Sequence, residues 1–206
     1  EGLSDRQLRD EVGTFLAAGH ETTAMTLSWT WYMLSKHPAV EHKLHAELAE
    51  VLGERLPTAA DIPQLTYTRM VIQEVMRLYP AAWALTRGII NDDEIGGYPI
   101  KAGAIMILSP YVTHRQPDFW ENPEGFDPER FTPERIAARP RYAYFPFGGG
   151  PRQCIGNEFA LMEAQLIVAM VAQRYRLDLV PGQKIEPDPI FTLRPSSAVR
   201  VMLHAR

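Results

Sequence analysis

The chain has 206 residues, of which 46% are hydrophobic and 22% charged, and this is the composition of an ordinary globular domain with a sizeable core. Its formal net charge of −4 gives no reason to expect nucleic acid or an anionic membrane surface as a partner. The single cysteine excludes an internal disulfide and gives no support for secretion or for a zinc–cysteine cluster. No apolar run reaches the length that spans a membrane, and residues 1–20 do not resemble a signal peptide.

The first predicted element is a long helix that begins after Ser4 and continues to Lys36. Ser4 is followed three residues later by Gln7, which is a capping-box pattern, and apolar residues then recur at helical spacing. The middle of this helix, residues 17–23, reads Ala-Ala-Gly-His-Glu-Thr-Thr and contains few good helix formers. Its threonine hydroxyls can donate to carbonyls one turn earlier. We therefore expect a weakened helical segment with room for a small ligand beside a hydroxyl.

Two more helices are predicted, one from Ala39 to about Leu52 and one from about Tyr67 to Tyr79. Glu74 and Arg77 are three residues apart on the latter helix and share one of its faces. An exposed pair at this spacing contributes only about 0.2–0.5 kcal/mol, so the pair alone is a weak signal.

After the third helix, the apolar residues no longer recur at helical spacing. Residues 83–90 and 104–108 are predicted as strands, with turns at residues 91–93 and at Gly96-Gly97. Residues 114–144 are rich in proline and aromatic side chains and show little periodicity. This segment is too aromatic for a disordered linker, so we expect an ordered, irregular segment that packs onto helices.

The only cysteine, Cys154, lies in the glycine-rich stretch 147–156, Phe-Gly-Gly-Gly-Pro-Arg-Gln-Cys-Ile-Gly, and a helical pattern from Asn157 to about Tyr175 follows. A thiol at the start of a helix is favoured as the thiolate, because the terminal N–H groups and the helix dipole attract negative charge. Glycines permit the close approach of a flat group, and Arg152 can neutralise an anionic ligand group. The stretch suits an iron–thiolate bond; the alternative is a buried structural cysteine beside a turn.

Four ordered motifs make the whole chain resemble the cytochrome P450 monooxygenases. The pattern F-x-x-G-x-R-x-C-x-G is met in full at residues 147–156 and resembles the heme-ligand loop of that family. Residues 18–23 resemble its oxygen-activation motif, residues 74–80 its K-helix motif and residues 128–131 its P-E-R-F element. The N-terminal half of the family domain has no counterpart here. The resemblance therefore implies that residues 1–206 are the C-terminal portion of a single heme-binding domain.

The resemblance also implies a role for each motif residue. Cys154 becomes the axial ligand of the iron of heme b (iron protoporphyrin IX), and Thr22 and Glu21 become the groups that manage protons for dioxygen activation. Arg152 and Arg87 are implied as contacts of the heme propionates. The other cofactor-binding residues that the resemblance implies are Ala18, Gly19, Phe147, Gly148 and Gly156.

Two further groups of residues receive roles from the same resemblance. Glu74 and Arg77 are implied to be a buried structural pair, and a buried pair needs additional partners to offset its desolvation. Arg130, in Pro-Glu-Arg-Phe, is the expected third member. Residues along the substrate cavity are implied to be Ala82, Ala84, Leu85 and Phe191.

The expected fold is mainly α with small peripheral β-sheets, a cytochrome P450-type fold in its C-terminal portion. The expected activity is that of a heme-thiolate monooxygenase, which inserts one oxygen atom from O2 into an apolar organic small molecule. Electrons would come from a separate partner, a ferredoxin or a flavoprotein reductase, since the chain has no flavin or iron–sulfur motif. A peroxide-driven enzyme on the same scaffold and a truncated, non-catalytic heme-binding fragment stay open as alternatives. The default expectation for location is a soluble, cytoplasmic enzyme of bacterial type, with membrane attachment through a segment outside the chain as the alternative.

Overall fold

The computed structural model describes residues 2–206. Most of the regular structure is helical, and the strands form four antiparallel sheets of two strands each. This confirms the predicted fold class. The α-helices are α1 (Asp5–Lys36), α2 (Pro38–Leu52), α3 (Thr66–Leu78), α4 (Pro110–Thr113), α5 (Pro133–Ala137) and α6 (Asn157–Arg174). The strands are β1 (Leu85–Gly88), β2 (Asp93–Ile95), β3 (Tyr98–Ile100), β4 (Ile105–Leu108), β5 (Tyr175–Leu179), β6 (Pro187–Pro189), β7 (Leu193–Pro195) and β8 (Val201–Ala205).

Helix α1 begins at the predicted capping box. The Ser4 hydroxyl accepts a hydrogen bond from the Gln7 backbone N–H at 3.3 Å, and the Gln7 side chain accepts one from the Ser4 backbone N–H at 2.9 Å. These bonds satisfy two N–H groups that would otherwise lack partners at the helix start. The two halves of the helix differ in burial. Side chains up to residue 20 are exposed, whereas the second half buries a face that comprises Thr23, Thr26, Trp29, Thr30, Met33 and Leu34.

Helix α3 lies at the centre of the packed part of the chain and contacts α1, α2, α6 and the short helical turn Pro128–Phe131. Its apolar side chains alternate with Glu74 and Arg77, and all of its residues from Glu74 to Leu78 are buried. The main core is an aliphatic cluster in which α1, α2, α3 and α6 meet. Its buried members are Leu34, Leu44, Leu48, Leu52, Leu65, Val71, Ile72, Met76, Leu161, Ala164, Val168, Ala169 and Ala172.

A second core cluster contains Trp29, whose ring stacks on Tyr79 with the ring centroids 4.0 Å apart. The Trp29 indole N–H also donates to the Leu193 carbonyl at 2.9 Å. The second half of α1 is thereby fixed both to the end of α3 and to the C-terminal strands. Within residues 2–206, no helix combines the length and the apolar character needed to cross a membrane.

The sheets differ from the predicted strands in extent and number. Strands β1 and β4 lie within the predicted strands 83–90 and 104–108 and pair with each other, and β5 pairs with β8. Hairpin β2–β3 was predicted only as turns, and Gly96 and Gly97 do form its turn, with φ of +59° and +84°; the strands of hairpin β6–β7 were not predicted. Each hairpin strand has three residues and several contain proline, which is tolerated in such edge strands but conceals a strand pattern.

Candidate active site

The glycine-rich stretch 147–156, here called the cysteine loop, is closed by backbone hydrogen bonds. The Cys154 N–H donates to the Phe147 carbonyl at 3.0 Å, and the Gly148 N–H donates to the Phe145 carbonyl at 3.0 Å. Gly148 and Gly150 have φ of +71° and +69°, in the left-handed region that other residues resist. The loop therefore holds Cys154 in a defined place directly before α6, and the Cys154 side chain is exposed.

The cysteine loop suits a cofactor that brings its own iron ligands. No group of three or more His, Cys, Asp and Glu side chains in residues 2–206 is arranged to hold a metal ion by itself. An iron bound to Cys154 would thus take its remaining ligands from a tetrapyrrole or from small molecules. The Arg152 side chain is exposed and has no hydrogen bond or ion pair with any described residue, so it can bind a carboxylate of such a group. These residues fit heme.

Two glycines of the candidate motifs lie beside open space. A Cβ placed on Gly150 or on Gly19 would have no atom within 4 Å, and one on Gly156 would lie 4.0 Å from the Cys154 Sγ. A cavity of about 200 Å³ lies behind the cysteine loop, but Cys154 does not line it. It is also smaller than the roughly 300–1,000 Å³ of typical ligand sites. This cavity is therefore separate from the exposed Cys154 thiol.

The weakened middle of α1 keeps its helical conformation. The Thr22 Oγ1 donates to the Ala18 carbonyl at 2.7 Å, as expected for a threonine within a helix. The Glu21 Oε1 accepts a hydrogen bond of 2.6 Å from the Thr192 hydroxyl, 171 residues away in sequence. Thr192 is 3% exposed, whereas Glu21 and Thr22 are half-buried. Glu21 is thus oriented by a buried donor from the C-terminal part of the chain.

The predicted Glu74–Arg77 pair is completely buried, with both side chains 0% exposed. Arg77 donates to the two Glu74 carboxylate oxygens at 2.6 and 2.8 Å. Its remaining N–H groups donate to three backbone carbonyls of the irregular segment, at 2.7 to 2.9 Å: those of His114, Pro123 and Gly125. Every direction of the guanidinium fork therefore has an acceptor, which is what a buried cation requires.

Arg130 lies beside this pair, where the sequence analysis expects a third member. Its Nε is 3.4 Å from the Glu74 Oε1, and its Nη2 donates to the Asn122 carbonyl at 2.9 Å. The Asp127 N–H also donates to Glu74, at 2.9 Å. Burial raises the pKa of the Glu74 carboxyl, and the two guanidinium groups and the Asp127 N–H oppose that rise. These contacts join α3 to the turn Pro128–Phe131 through a buried, charged cluster.

Comparison with known proteins decides which family this arrangement represents. The family model described as cytochrome P450 matches residues 1–202. The chain belongs to the cytochrome P450 family. Similar relatives include "Cyclooctatin synthase" of Streptomyces melanosporofaciens, 46% identical over 93% of this chain and 42% of the relative. "Cyclooctat-9-en-7-ol 5-monooxygenase" of the same organism is 46% identical over 88% and 40% of the two chains. "Putative cytochrome P450 132" of Mycobacterium tuberculosis is 42% identical over 98% and 44%.

The chain thus spans about two fifths of the length of the curated relatives that it matches, since it covers 42%, 44% and 40% of them. P450 family members generally bind heme. The assignment of individual residues to the heme, to dioxygen and to the substrate is a separate matter, because the family match covers the chain as a whole.

The residues predicted along the P450 substrate cavity lie on two segments that are bonded to one another. The Trp83 indole N–H donates to the Ile190 carbonyl at 3.2 Å, and the Leu193 N–H donates to the Ala81 carbonyl at 3.0 Å. Ala82, Ala84 and Leu85 are partly exposed on the first segment, and Phe191 is 84% exposed on the second. Leu85 also approaches the cysteine loop: its Cδ1 is 3.4 Å from where a Gly148 Cβ would stand.

Other predicted P450 site residues are not joined to one another. No hydrogen bond or ion pair between described residues links Glu21 or Thr22 to the cysteine loop. Arg87 lies on β1, is partly exposed, and donates to the carbonyl of its neighbour Thr86 at 2.8 Å. The structure therefore contains two separate, open sets of candidate functional groups, one on α1 and one on the cysteine loop.

Sequence reasoning missed Thr192 and His114, both of which contact candidate site segments. Thr192 follows Phe191 in a stretch that was singled out for Phe191 alone, and its link to Glu21 has no local sequence signal. His114 was only the first residue of the proline- and aromatic-rich segment, yet it is fully buried and bonded through both ring nitrogens. The one available hint was the position of His114 at the start of a segment rich in proline and aromatic side chains.

Proposed function

We propose that this chain is the heme-binding portion of a heme-thiolate monooxygenase that inserts one oxygen atom from O2 into an apolar organic substrate. The observation that carries the proposal is the exposed thiol of Cys154, held in a closed, glycine-rich loop directly before α6. Membership of the cytochrome P450 family supports it, as does the name of the relative called a 5-monooxygenase. Heme b bound there would supply the iron and the redox chemistry for dioxygen activation.

In this proposal the cysteine loop has two tasks. Cys154 would bind the iron through its sulfur, which would donate electron density to the metal. Arg152 and Arg87 bind the cofactor carboxylates; the Arg152 guanidinium has no competing partner within residues 2–206. Phe147, Gly148 and Gly156 shape the loop, and Ala18 and Gly19 keep the middle of α1 free of bulky side chains.

Glu21 and Thr22 are proposed to manage protons. The Thr22 hydroxyl hydrogen is engaged with the Ala18 carbonyl, so its oxygen lone pairs are directed to accept a hydrogen bond from a water or from a protonated ligand. Glu21 can take up and release a proton, and its bond to Thr192 defines where its carboxylate lies.

The substrate and electron donor follow from the same resemblance. Ala82, Ala84, Leu85 and the exposed Phe191 would give one side of an apolar substrate site. A ferredoxin or a flavoprotein reductase would supply the electrons, because the chain has no flavin or iron–sulfur motif of its own.

A second candidate function is that of a heme-binding fragment without catalytic activity. Residues 2–20 are exposed and include the apolar side chains Leu8, Val12, Phe15 and Leu16, which are 53% to 72% exposed. A cofactor held only by these described residues would face water on one side. Water would then compete with substrate, and an open site would no longer prevent side reactions such as proton leakage.

The test is the absorption spectrum of the purified chain with heme, reduced and exposed to carbon monoxide. A strongly red-shifted, thiolate-type Soret band is expected, and Cys154→Ser should remove it. Ile155→Ser is the matched control, since Ile155 is the exposed neighbour and its replacement leaves the thiol intact. A wild-type band that survives in Cys154→Ser contradicts the proposal.

Turnover separates the two candidate functions and the peroxide-driven alternative. Oxygenation with a reductase and O2 supports a monooxygenase. A thiolate band without any turnover supports the non-catalytic fragment, and turnover with peroxide but not with reductase and O2 supports a peroxide-driven enzyme.

A further inference from the structure

His114 is completely buried between α3 and the segment that enters the cysteine loop. Its Nδ1 lies 3.2 Å from the Arg77 carbonyl oxygen, and its Nε2 lies 2.9 Å from the Phe145 backbone nitrogen. The Arg77 side chain donates in return to the His114 carbonyl at 2.9 Å. The imidazole packs among the rings of Tyr144 and Phe145, with centroid distances of 5.0 and 5.4 Å. Backbone and ring of His114 are thus both tied to Arg77.

These contacts are compatible with only one form of the imidazole. The Phe145 N–H can only donate, so Nε2 must accept with its lone pair. The Arg77 carbonyl can only accept, so Nδ1 must carry the hydrogen. The neutral ring with hydrogen on Nδ1 satisfies both contacts, whereas the cation would point a second N–H at the Phe145 N–H. Burial lowers the pKa of His114 to about 3, which agrees with a neutral ring.

The Phe145 backbone is the first fixed point of the cysteine loop. Its carbonyl accepts from the Gly148 N–H at 3.0 Å, and two residues further on the Phe147 carbonyl accepts from the Cys154 N–H at 3.0 Å. The preceding Tyr144 hydroxyl donates to the Gln73 carbonyl of α3 at 3.0 Å. The residues that lead into the loop are therefore bonded to α3 twice. Tyr144 is bonded to it directly, and Phe145 is bonded to it through the His114 ring.

We propose that His114 is a positioning residue for Cys154, and that its ring fixes the cysteine loop to the backbone of α3 at Arg77. The path runs from the Arg77 carbonyl through the imidazole to the Phe145 N–H, and from there through the loop bonds to the Cys154 N–H. An iron–thiolate bond needs such a fixed sulfur, because a misplacement of about 1 Å is costly in a catalytic site. The role in ligation rests on the proposed function; the attachment of the loop does not.

The experiment compares three substitutions in the full chain. His114→Leu removes both ring contacts. His114→Asn carries a polar atom near the Nδ1 position only, so it keeps the Arg77 contact and loses the Phe145 contact. His114→Gln reaches the Nε2 position and can keep an acceptor for the Phe145 N–H. His37→Gln is the matched control, because the His37 ring bonds the Met33 carbonyl and packs on Phe126, away from the cysteine loop.

The main measurement is hydrogen exchange of the Phe145, Gly148 and Cys154 amides, which needs no cofactor. Exchange at these amides is expected to be faster by about tenfold or more in His114→Leu and His114→Asn, beyond any change in α6. His114→Gln should restore much of the protection, and His37→Gln should not affect the loop selectively. In the heme-loaded chain, the fraction with a thiolate-type Soret band should fall more in His114→Leu and His114→Asn than in His114→Gln. Nitrogen NMR of the wild-type ring should show a neutral imidazole with hydrogen on Nδ1.

Several results would overturn the inference. They are equal loop protection in His114→Asn and His114→Gln, faster exchange spread uniformly over the chain, and hydrogen on Nε2 of the ring. If His114→Leu does not fold, the comparison of His114→Asn with His114→Gln and the wild-type NMR spectrum still test the inference. A wild-type chain without a thiolate band would contradict the proposed function. Amide exchange would still test whether His114 attaches the loop to α3.

Discussion

The charged groups of the buried pair in the interior around α3 have partners within residues 2–206, whereas the side chains of Cys154 and Arg152, which lie on the exposed side here called the open side, do not. Around α3, Glu74 and Arg77 are 0% exposed and each charged atom has partners, most of them backbone groups of the irregular segment. On the open side, the Cys154 thiol and the Arg152 guanidinium face outward without a side-chain partner among the described residues. The charged groups of Glu74 and Arg77 are satisfied within the chain. The groups proposed for chemistry remain available to a ligand.

Helix α1 has one half in the buried interior and one half exposed, so it shows how burial contributes to helix stability. Its second half is stabilised by the core, through Trp29 and Leu34, whereas its first half has exposed side chains and a capping box. Helical stability in proteins comes mostly from packing of an apolar face. Within residues 2–206 the first half lacks the packing that stabilises the second half, and Glu21 and Thr22 lie at the boundary between the halves.

The largest expected effect is the loss of one member of the buried cluster. Arg77→Leu should lower the free energy of unfolding by about 3–5 kcal/mol, because Glu74 and three carbonyls would lose their partner in the interior. The measurement is urea unfolding. Arg135→Leu is the control, since it breaks an exposed ion pair with Asp127 and should cost less than about 1 kcal/mol.

Similar losses in both variants would show that the cluster around α3 contributes no more than a surface pair. If Arg77→Leu does not fold, Arg77→Lys serves in its place. Lysine keeps the charge but lacks the planar fork that reaches Glu74 and the carbonyls together, so a clear loss of stability is still expected.

The two halves of α1 can be compared by equal truncations. Leu34→Ala removes a core side chain that is 1% exposed and should cost about 2–5 kcal/mol. Leu16→Ala removes one that is 72% exposed and should change stability by no more than about 0.5 kcal/mol. Thermal and urea unfolding both report the difference. A large loss in Leu16→Ala would mean that the first half of α1 is packed in solution.

The sequence predicted the parts of the structure that have a local pattern. Helices α1 and α6 follow from apolar periodicity, and Ser4 with Gln7 marks the start of α1 correctly. The association of Arg130 with Glu74 was expected from the resemblance of Pro-Glu-Arg-Phe to the P450 element, together with the need of a buried pair for further partners. The contact is present at 3.4 Å. Hairpins β2–β3 and β6–β7 lack a pattern that could be read, because three residues are too few to show alternation.

The candidate site was less predictable, because its contacts join distant residues. Thr192 reaches Glu21 across 171 residues, and His114 reaches Phe145 across 31. Such contacts depend on how α1, α3 and the C-terminal strands pack, which no local pattern reports. The motif residues themselves were predictable because Cys154 is unique and its glycines are closely spaced; their functional roles stay proposals.

The smallest expected effect concerns the boundary between the two environments, where Thr192 bonds Glu21. Thr192→Val keeps the shape of the buried side chain and removes the donor, and should cost about 1 kcal/mol, since water can still reach the half-buried Glu21. Thr192→Ser should retain most of the stability. A double-mutant cycle with Glu21→Ala, which removes the acceptor, should give a coupling energy of about 0.5 kcal/mol or more.

Thr30→Val is the matched control for this cycle. Thr30 is also buried, at 0% exposure, but its hydroxyl donates to the Thr26 carbonyl within α1, so it should not couple to Glu21. Coupling of Glu21 to Thr192 and not to Thr30 would mean that the C-terminal strands orient the carboxylate that is proposed to manage protons. Equal coupling to both threonines, or coupling to neither, would mean that Thr192 does not orient the Glu21 carboxylate. That carboxylate would then be free to adopt many orientations until a ligand binds.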